Sequence, residues 1–212
     1  MSMLHSFRLQ AFVFVFTLFS CHQEEAKDIS KTDRPVINYK TSKDSATSKQ
    51  APIVNLTDSL CPNYKVVFMK GTAASEAEIG SKLAEIFGKK LPELIKKQRL
   101  EMAGPPLVWY RSGKKANSFI FDAGFPVNKK PSKLPGKFYY KTIGKDSAII
   151  AHYYGPYDLT YFAYEAIKER LKEMKRSPAS PAFEIYVDDP MDENGKPKDP
   201  FKVRTDIVFP YK

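Results

Sequence analysis

The hydrophobic pattern of the chain occurs twice in the same order. In each half an apolar run precedes a stripe of apolar residues at helical spacing, and two further apolar runs follow. Short runs rich in β-branched and aromatic residues indicate strands, whereas recurrence at every third or fourth position indicates a helix. The pattern therefore predicts a tandem repeat of strand, helix, strand and strand. The runs lie at 64–69, 107–110, 118–122, 147–154, 183–187 and 203–209.

The two helical stripes carry different end signals. Ser75 with Glu78 has the spacing of a capping box, which predicts a helix start. Pro92 should kink or split this helix near Leu91, because proline donates no backbone hydrogen bond. Asp158 is placed to cap the second helix. The first stripe is Ile79, Leu83, Ile86, Phe87, Leu94 and Ile95, and the second is Leu159, Phe162, Ala163, Ala166, Ile167, Leu171 and Met174.

The predicted strand at 183–187 carries an acid on one face. Side chains alternate along a strand, so the odd-numbered positions share an apolar face and Glu184 shares the other face with Tyr186. A partly buried carboxylate is costly unless something pairs with it, which favours a pocket for a cationic or hydrogen-bonding ligand. The alternative is a half-buried strand whose polar face is solvated, with Glu184 an ordinary outward residue.

A polar excursion at 188–200 follows this strand. Asp192 and Asn194 suggest part of a calcium loop, but Pro190 stands where an EF-hand has its first carboxylate ligand. The dipeptide that ends at Gly195 is instead typical of a tight turn. We therefore expect a turn here and no metal site.

The N-terminal segment 1–21 has the pattern of a secretion signal. Its apolar run ends at Ser20-Cys21 and is too short to span a bilayer. Residues 18–21, Leu-Phe-Ser-Cys, resemble the lipobox of bacterial lipoproteins, in which the cysteine becomes lipid-modified and N-terminal. We expect lipidation of Cys21; the alternative is an ordinary cleaved signal with an incidental cysteine.

Residues 22–59 change to a polar composition without a hydrophobic period. This composition predicts a flexible tether, which as a random coil would span roughly 35 Å. The folded domain is then 60–212. Cys61 lies at its start, and we expect a free, buried thiol there.

Charge and composition narrow the function classes. The net charge of +10 suits a polyanion, but no helix-turn-helix, zinc-finger or aromatic RNA-binding motif is present, so we expect no nucleic-acid partner. The sequence has two cysteines and three histidines, without C-x-x-C or H-E-x-x-H, and metal ligation is not expected. Neither nucleotide-binding glycine motif occurs, and we expect no cofactor.

Several segments carry a family resemblance. In the second unit these are Tyr154-Gly155-Pro156-Tyr157-Asp158, Phe183-Glu184-Ile185-Tyr186 and Arg204-Thr205-Asp206-Ile207. In this order they resemble the GyrI-like effector-binding domain, whose members include the ligand-binding modules of multidrug-responsive transcription activators. In the first unit, 104–106 and 122–126 agree with that order. The resemblance covers 64–211.

The resemblance implies an α+β fold. Two tandem strand–helix–strand–strand units would form a pseudo-twofold antiparallel sheet with a cleft for aromatic or cationic small molecules. The acid of the penultimate strand lies at the floor of the cleft in that family, and by position this acid is Glu184. Aromatic faces beside a carboxylate recognise a flat cation by cation–π contact and charge pairing. The implied ligand-binding residues are Glu184 and Tyr186, then Tyr110, Trp109, Phe121 and Tyr154, each aromatic having core packing as its alternative.

Two functions remain open at this point. One is an envelope-anchored receptor or scavenger for a hydrophobic or cationic small molecule, held to the membrane by its N-terminal lipid and facing the periplasm or the cell exterior. The other is a hydrolase of reactive small electrophiles, since some GyrI-like proteins use a pocket glutamate and tyrosine in this way. Glu184 would act as general base, and Tyr186 or Tyr110 would polarise the substrate.

A structural role is a third class. The lysines between Lys129 and Lys145 could bind the domain to anionic envelope polymers. Such runs of lysines are more often a solvated surface. The sequence names neither the ligand nor the oligomeric state.

Overall fold

The computed structural model describes residues 50–112 and 119–212. The predicted signal segment, Cys21 and residues 22–49 of the predicted tether lie outside the described residues. Residues 113–118, between the third and fourth strands, also lie outside them.

The described residues form eight strands and three α-helices. The first half contains β1 (Ile53–Leu60), β2 (Tyr64–Ala73), α1 (Glu76–Glu85), a π-helical turn (Ile86–Lys90), α2 (Leu91–Lys97), β3 (Leu107–Ser112) and β4 (Phe119–Pro126). The second half contains β5 (Phe138–Ile143), β6 (Ser147–Tyr154), a 3₁₀ turn (Tyr157–Leu159), α3 (Tyr161–Glu173), β7 (Phe183–Tyr186), a 3₁₀ turn (Pro200–Lys202) and β8 (Arg204–Tyr211).

The strands form one antiparallel sheet in the order β1-β6-β8-β7-β3-β4-β2-β5. The two predicted units are β2-α1-α2-β3-β4 and β6-α3-β7-β8, and their middle strands β3 and β7 pair at the centre. Read outwards from that centre, both halves have the same strand order. The predicted α+β fold with a pseudo-twofold repeat is confirmed.

The hydrophobic pattern missed strands β1 and β5. Each precedes the first strand of one unit but pairs with the first strand of the other: β1 with β6, and β5 with β2. The sequence analysis places the tether end at residue 59, whereas β1 begins at Ile53. Both strands lie at the edges of the sheet, and most side chains of β1 are exposed. Backbone pairing rather than an apolar face holds β1, so its composition resembles that of a tether.

The two faces of the sheet bury different clusters. The helices pack on one face, the helix face, against residues such as Val108, Phe121, Ile149 and Ile207. The opposite face buries Val66, Phe68, Leu107, Trp109, Phe183 and Ile185. The alternation predicted for 183–187 is therefore confirmed at Phe183 and Ile185.

Proline splits the first helix as predicted. Helix α1 starts at the predicted capping box, where the Glu78 backbone N–H donates to Ser75 Oγ at 3.2 Å. The helix ends at Glu85, and the N–H of Leu91 then donates to the Ile86 carbonyl across the π turn. Pro92 has no N–H to donate, and the wider turn accommodates it at the start of α2.

The second helix starts later than predicted. A 3₁₀ turn takes up Tyr157–Leu159, and the Thr160 hydroxyl donates to the Tyr157 carbonyl at 2.9 Å; no side chain caps α3, so the prediction for Asp158 was wrong. The buried stripe keeps Ala163, Ile167 and Leu171 of the predicted set but differs near its start. Phe162 is 45% exposed, and Tyr164 is buried in its place.

Two local predictions are confirmed. Cys61 is a buried free thiol, 4% exposed. In the 188–200 excursion, Gly195 has a φ of 73° and its N–H donates to the Asp192 carbonyl at 3.0 Å, which closes a turn. Among the described residues, the helices are all too short or too polar to cross a membrane.

Candidate ligand-binding site

Glu184 lies at the centre of the sheet. Its strand β7 pairs with β3 on one side and β8 on the other, and Glu184 stands opposite Val108 and Ile207. Its neighbours in β7 point to the opposite face, so its carboxylate points to the helix face. It is 0% exposed. A charged group buried this deeply needs strong hydrogen bonds to remain in place.

Tyrosine hydroxyls supply these hydrogen bonds. Tyr164 of α3 donates to Glu184 Oε1 at 2.8 Å. Tyr157, from the 3₁₀ turn before α3, donates to Oε2, and Tyr186 lies 3.4 Å from the same oxygen. Hydrogen bonds to an ionised acceptor are among the strong ones in proteins. The carboxylate is thus held from two directions, by its own strand and by the start of the helix above it.

The hydroxyls also contact one another. Tyr110 Oη lies 2.8 Å from Tyr186 Oη and 3.2 Å from Tyr157 Oη. The hydroxyls of Tyr157 and Tyr186 are 2.5 Å apart. Each phenol has one proton to donate. When Tyr110 donates to Tyr186, Tyr186 to Tyr157 and Tyr157 to Glu184, every donor has an acceptor and the protons point towards the carboxylate. Because Tyr110 comes from the first unit, the network joins the two halves of the sheet.

The electrostatics favour a protonated Tyr186. Burial raises the pKa of this phenol well above its usual value, and Tyr110 and Glu184 add in the same direction. The hydrogen bond with Tyr157 opposes them. Tyr186 therefore acts as a hydrogen-bond donor rather than as a phenolate.

Aromatic rings lie beside this hydrogen-bond network. Tyr157 is 43% exposed, and its ring centroid lies 5.9 Å from that of Tyr186. On the other side of Tyr186, Phe87 from the π turn makes an edge-on contact at 6.4 Å. The site thus lies between the helices of the two units, with one carboxylate at its floor and aromatic side chains above it.

The GyrI-like small molecule binding domain model matches residues 61–212. The chain belongs to the GyrI-like family. The match covers the whole tandem repeat and leaves only β1 of the described strands outside it. No curated protein matches the sequence.

Solved structures share the fold of this GyrI-like domain. The C-terminal domain of EcmrR is 18% identical, with 77% of this chain and 99% of that chain covered and a TM-score of 0.58. EcmrR in its DNA complex is 17% identical, with 76% and 57% covered and a TM-score of 0.59, so the chain spans just over half of that protein. An uncharacterized conserved protein from Listeria innocua is 11% identical, with 74% and 92% covered and a TM-score of 0.54. At these identities the likeness shows the fold alone.

The structure brings together Glu184, Tyr186 and Tyr110 of the residues predicted for the site. Phe121 lies on the same face but is fully buried behind Tyr110, at 6.4 Å between ring centroids, and belongs to the core. Trp109 and Tyr154 do not join the group. Trp109 is buried on the opposite face, and Tyr154 alternates with the helix-facing Tyr153. Neighbouring positions in a strand point to opposite faces, so Trp109 and Tyr110 cannot line one pocket.

Sequence reasoning missed Tyr157 and Tyr164. Tyr157 stands within one of the segments that carried the family resemblance, so a signal was present there. Tyr164 lies four positions after Thr160 and three before Ile167, which are both fully buried. This spacing places it on the buried side of α3, one position away from the predicted stripe.

Among residues 50–112 and 119–212, no three His, Cys, Asp or Glu side chains are grouped so that they could hold a metal ion. The site that the structure describes consists of one carboxylate, several phenols and aromatic faces.

Proposed function

We propose that this GyrI-like domain binds a flat hydrophobic or cationic small molecule in the cleft above Glu184. The observation that carries the proposal is the fully buried carboxylate with phenol hydroxyls on both of its oxygens. Phenols are neutral at physiological pH, so they position the carboxylate without cancelling its charge. A cation that enters the cleft meets this charge in a poorly hydrated environment, where attraction is stronger than in water.

The aromatic rings above the carboxylate select the shape of the ligand. Tyr157 is exposed enough for a ligand to contact, and Tyr186 and Phe87 extend the aromatic surface across the cleft. A planar cation gains from ring faces through stacking and cation–π contact. The ligand class that fits both features is an aromatic cation, with flat neutral molecules binding more weakly.

The proposal places this domain in a bacterial cell envelope. The support is the apolar run that ends at Ser20-Cys21, which predicts export and lipid attachment at Cys21. The domain then faces the periplasm or the cell exterior and captures its ligand there as a receptor or scavenger. A polar segment between the anchor and β1 allows the domain to extend away from the membrane surface.

A hydrolase is the second candidate, and the protonated Tyr186 beside Glu184 favours it. Glu184 takes a proton from water as the water oxygen bonds to the electrophilic carbon of the substrate. The bond from that carbon to the leaving atom breaks, and the proton on Glu184 passes to the leaving atom. Tyr186 donates a hydrogen bond that polarises the substrate throughout.

Binding and turnover measured on the same protein distinguish the two candidates. The receptor predicts saturable binding of ethidium, a flat aromatic cation, without any product from neutral epoxides or other small electrophiles. The hydrolase predicts product, and its loss in Glu184→Gln with substrate binding retained, since glutamine cannot take a proton from water. Absence of saturable binding for ethidium and for neutral aromatic probes overturns the binding proposal.

A further inference from the structure

A cavity lies on the opposite face of the sheet from Glu184. Its volume is about 360 Å³, and its walls include Trp109, Phe183, Arg111, Asp122 and Lys141. Trp109 and Phe183 belong to the cluster buried on that face. The sheet therefore separates this cavity from Glu184 and its tyrosine partners.

Lys141 extends into the cavity from β5, one of the strands that the hydrophobic pattern missed. Its Nζ lies 2.9 Å from the centroid of the Trp109 ring and 4.7 Å from that of Phe68. The side chain is 30% exposed, so most of it is out of water. The amine is thus held against aromatic faces at the edge of a small cavity.

The carboxylate nearest to Lys141 is shared with another cation. Asp122 Oδ2 lies 3.9 Å from Lys141 Nζ, which is longer than a hydrogen bond. Its other oxygen accepts from Arg111 Nη2 at 2.5 Å. Lys70 adds positive charge from β2, while Asp146 is the other acidic residue in the cavity wall. Because Asp122 pairs with Arg111 as well, it stabilises the Lys141 ammonium only in part.

The ring faces of Trp109 and Phe68 attract the ammonium form, whereas burial and the neighbouring cations favour the neutral amine. Burial lowers the pKa of Lys141 to about 7; Asp122 opposes this shift, and Arg111 and Lys70 add to it. About half of such amines are neutral at pH 7, against roughly one in 2,500 for an ordinary lysine. A neutral amine is the nucleophilic form, and lysines desolvated in this way form Schiff bases.

We propose that the Lys141 cavity is a second small-molecule site, which holds a small aldehyde or ketone with an acidic group as an imine on Lys141. The Lys141 nitrogen attacks the carbonyl carbon and gives a carbinolamine. Two protons leave the nitrogen, the carbonyl oxygen departs as water, and a carbon–nitrogen double bond remains. No oxidant or reductant takes part, and hydrolysis reverses the reaction.

Arg111 is the residue that fits the acidic group. Asp122 accepts from only one of its nitrogens, and the Arg111 Nε is buried without a hydrogen-bond partner among the described residues. A carboxylate on the ligand supplies acceptors to this guanidinium and balances the local excess of positive charge. Trp109 and Phe183 give the rest of the cavity an apolar wall that suits a short carbon chain.

Reductive trapping tests the imine. The protein is incubated with glyoxylate and cyanoborohydride at pH 7, and the modified lysines are located by peptide mass mapping. Lys141 should be modified at least about tenfold faster than the average lysine, because its larger neutral fraction outweighs the lower nucleophilicity of a weaker base. Its rate should reach half of its maximum near pH 7, where the Lys141 pKa lies.

Matched variants and a neutral aldehyde complete the test. Lys141→Arg removes the nucleophilic amine but keeps a long basic side chain, and it should lose the fast modification, whereas Lys137→Arg, an exposed position just before β5, should keep it. The preference for Lys141 over the average lysine should be smaller with neutral propanal than with glyoxylate. Equal modification of all lysines, or fast modification that persists in Lys141→Arg, overturns the imine site. An equal preference for Lys141 with the two aldehydes overturns the acidic-ligand class.

Discussion

Tyr164 Oη donates to Glu184 Oε1 at 2.8 Å, and this bond joins the first turn of α3 to the central strand of the sheet. The donor is buried and the acceptor is 0% exposed. The contact therefore both stabilises the second unit and fixes the orientation of the proposed binding group. Removal of this hydrogen bond should lower the free energy of unfolding of the protein without ligand.

Tyr164→Phe should lower the free energy of unfolding by about 1.5–3 kcal/mol, the usual value of a hydrogen bond to a charged group. Urea denaturation measures this loss. Tyr161→Phe is the matched control, because Tyr161 is an exposed tyrosine on the same helix and the change should cost little. Equal stability of the two variants would show that the Tyr164 hydroxyl does not support Glu184.

Removal of β1 should destabilise the domain, although the hydrophobic pattern places most of this strand in the tether. β1 pairs with β6 from Ile53 to Leu60, and Asp58 forms an ion pair with Arg170 of α3 at 3.0 Å. A chain that starts at residue 61 should therefore have a lower thermal midpoint than one that starts at residue 50. Chains that start at 22 and at 50 should unfold together, since 22–49 lack an apolar pattern. Equal midpoints for starts at 50 and 61 would contradict the role given to β1.

The Cys61 thiol should react slowly in the folded protein. Burial raises its pKa from 9.0 to about 11; Asp146 adds to this shift, and a backbone hydrogen bond from Gly144 opposes it. The raised pKa means that the protonated thiol contributes stability below pH 9, and that this contribution is lost as the pH rises towards 11. At pH 8, iodoacetamide should alkylate Cys61 about 100-fold more slowly in native buffer than in urea, because only the thiolate reacts. Peptide mass mapping follows the alkylation of Cys61 over time. Equal alkylation rates in native buffer and in urea would contradict the burial of this thiol.

Lipid attachment at Cys21 predicts membrane association. Cys21→Ala in the full chain should move the protein from the membrane fraction to the soluble fraction and abolish labelling with a radioactive fatty acid. Cys61→Ala is the control, because a buried thiol cannot take an acyl chain. A Cys21→Ala protein that stays in the membrane fraction would contradict the lipoprotein proposal.

The sequence predicted the parts of the fold that depend on side-chain periodicity. Alternation in β7 placed Glu184 and Tyr186 on one face, and Pro92 marked the break between α1 and α2. Edge strands such as β1 are held by backbone hydrogen bonds, which leave no such trace in the sequence.

The candidate site was predicted only in part. Tyr164 lies at helical spacing from the buried Ile167, but its hydrogen bond to Glu184 depends on how α3 packs on the sheet, which the sequence does not show. The family resemblance implied both Trp109 and Tyr110 as ligand-binding residues, although strand alternation separates them. Strand alternation and the family resemblance indicated Glu184, Tyr186 and Tyr110, and the tertiary structure added Tyr157 and Tyr164.

The central claim is that the Glu184 carboxylate binds an aromatic cation, and a titration of ethidium against wild type, Glu184→Gln and Glu169→Gln tests it most directly. Glutamine keeps the shape and the hydrogen-bonding oxygen of the side chain but removes the charge, while Glu169 lies exposed on α3 and makes the same charge change away from the site. Thermal melts first establish that all three proteins are folded. Glu184→Gln should bind ethidium about 10- to 150-fold more weakly, equivalent to about 1.5–3 kcal/mol, and should bind neutral phenanthridine nearly as wild type does. Glu169→Gln should match wild type for both ligands. Ethidium binding that is unchanged in Glu184→Gln would contradict the account.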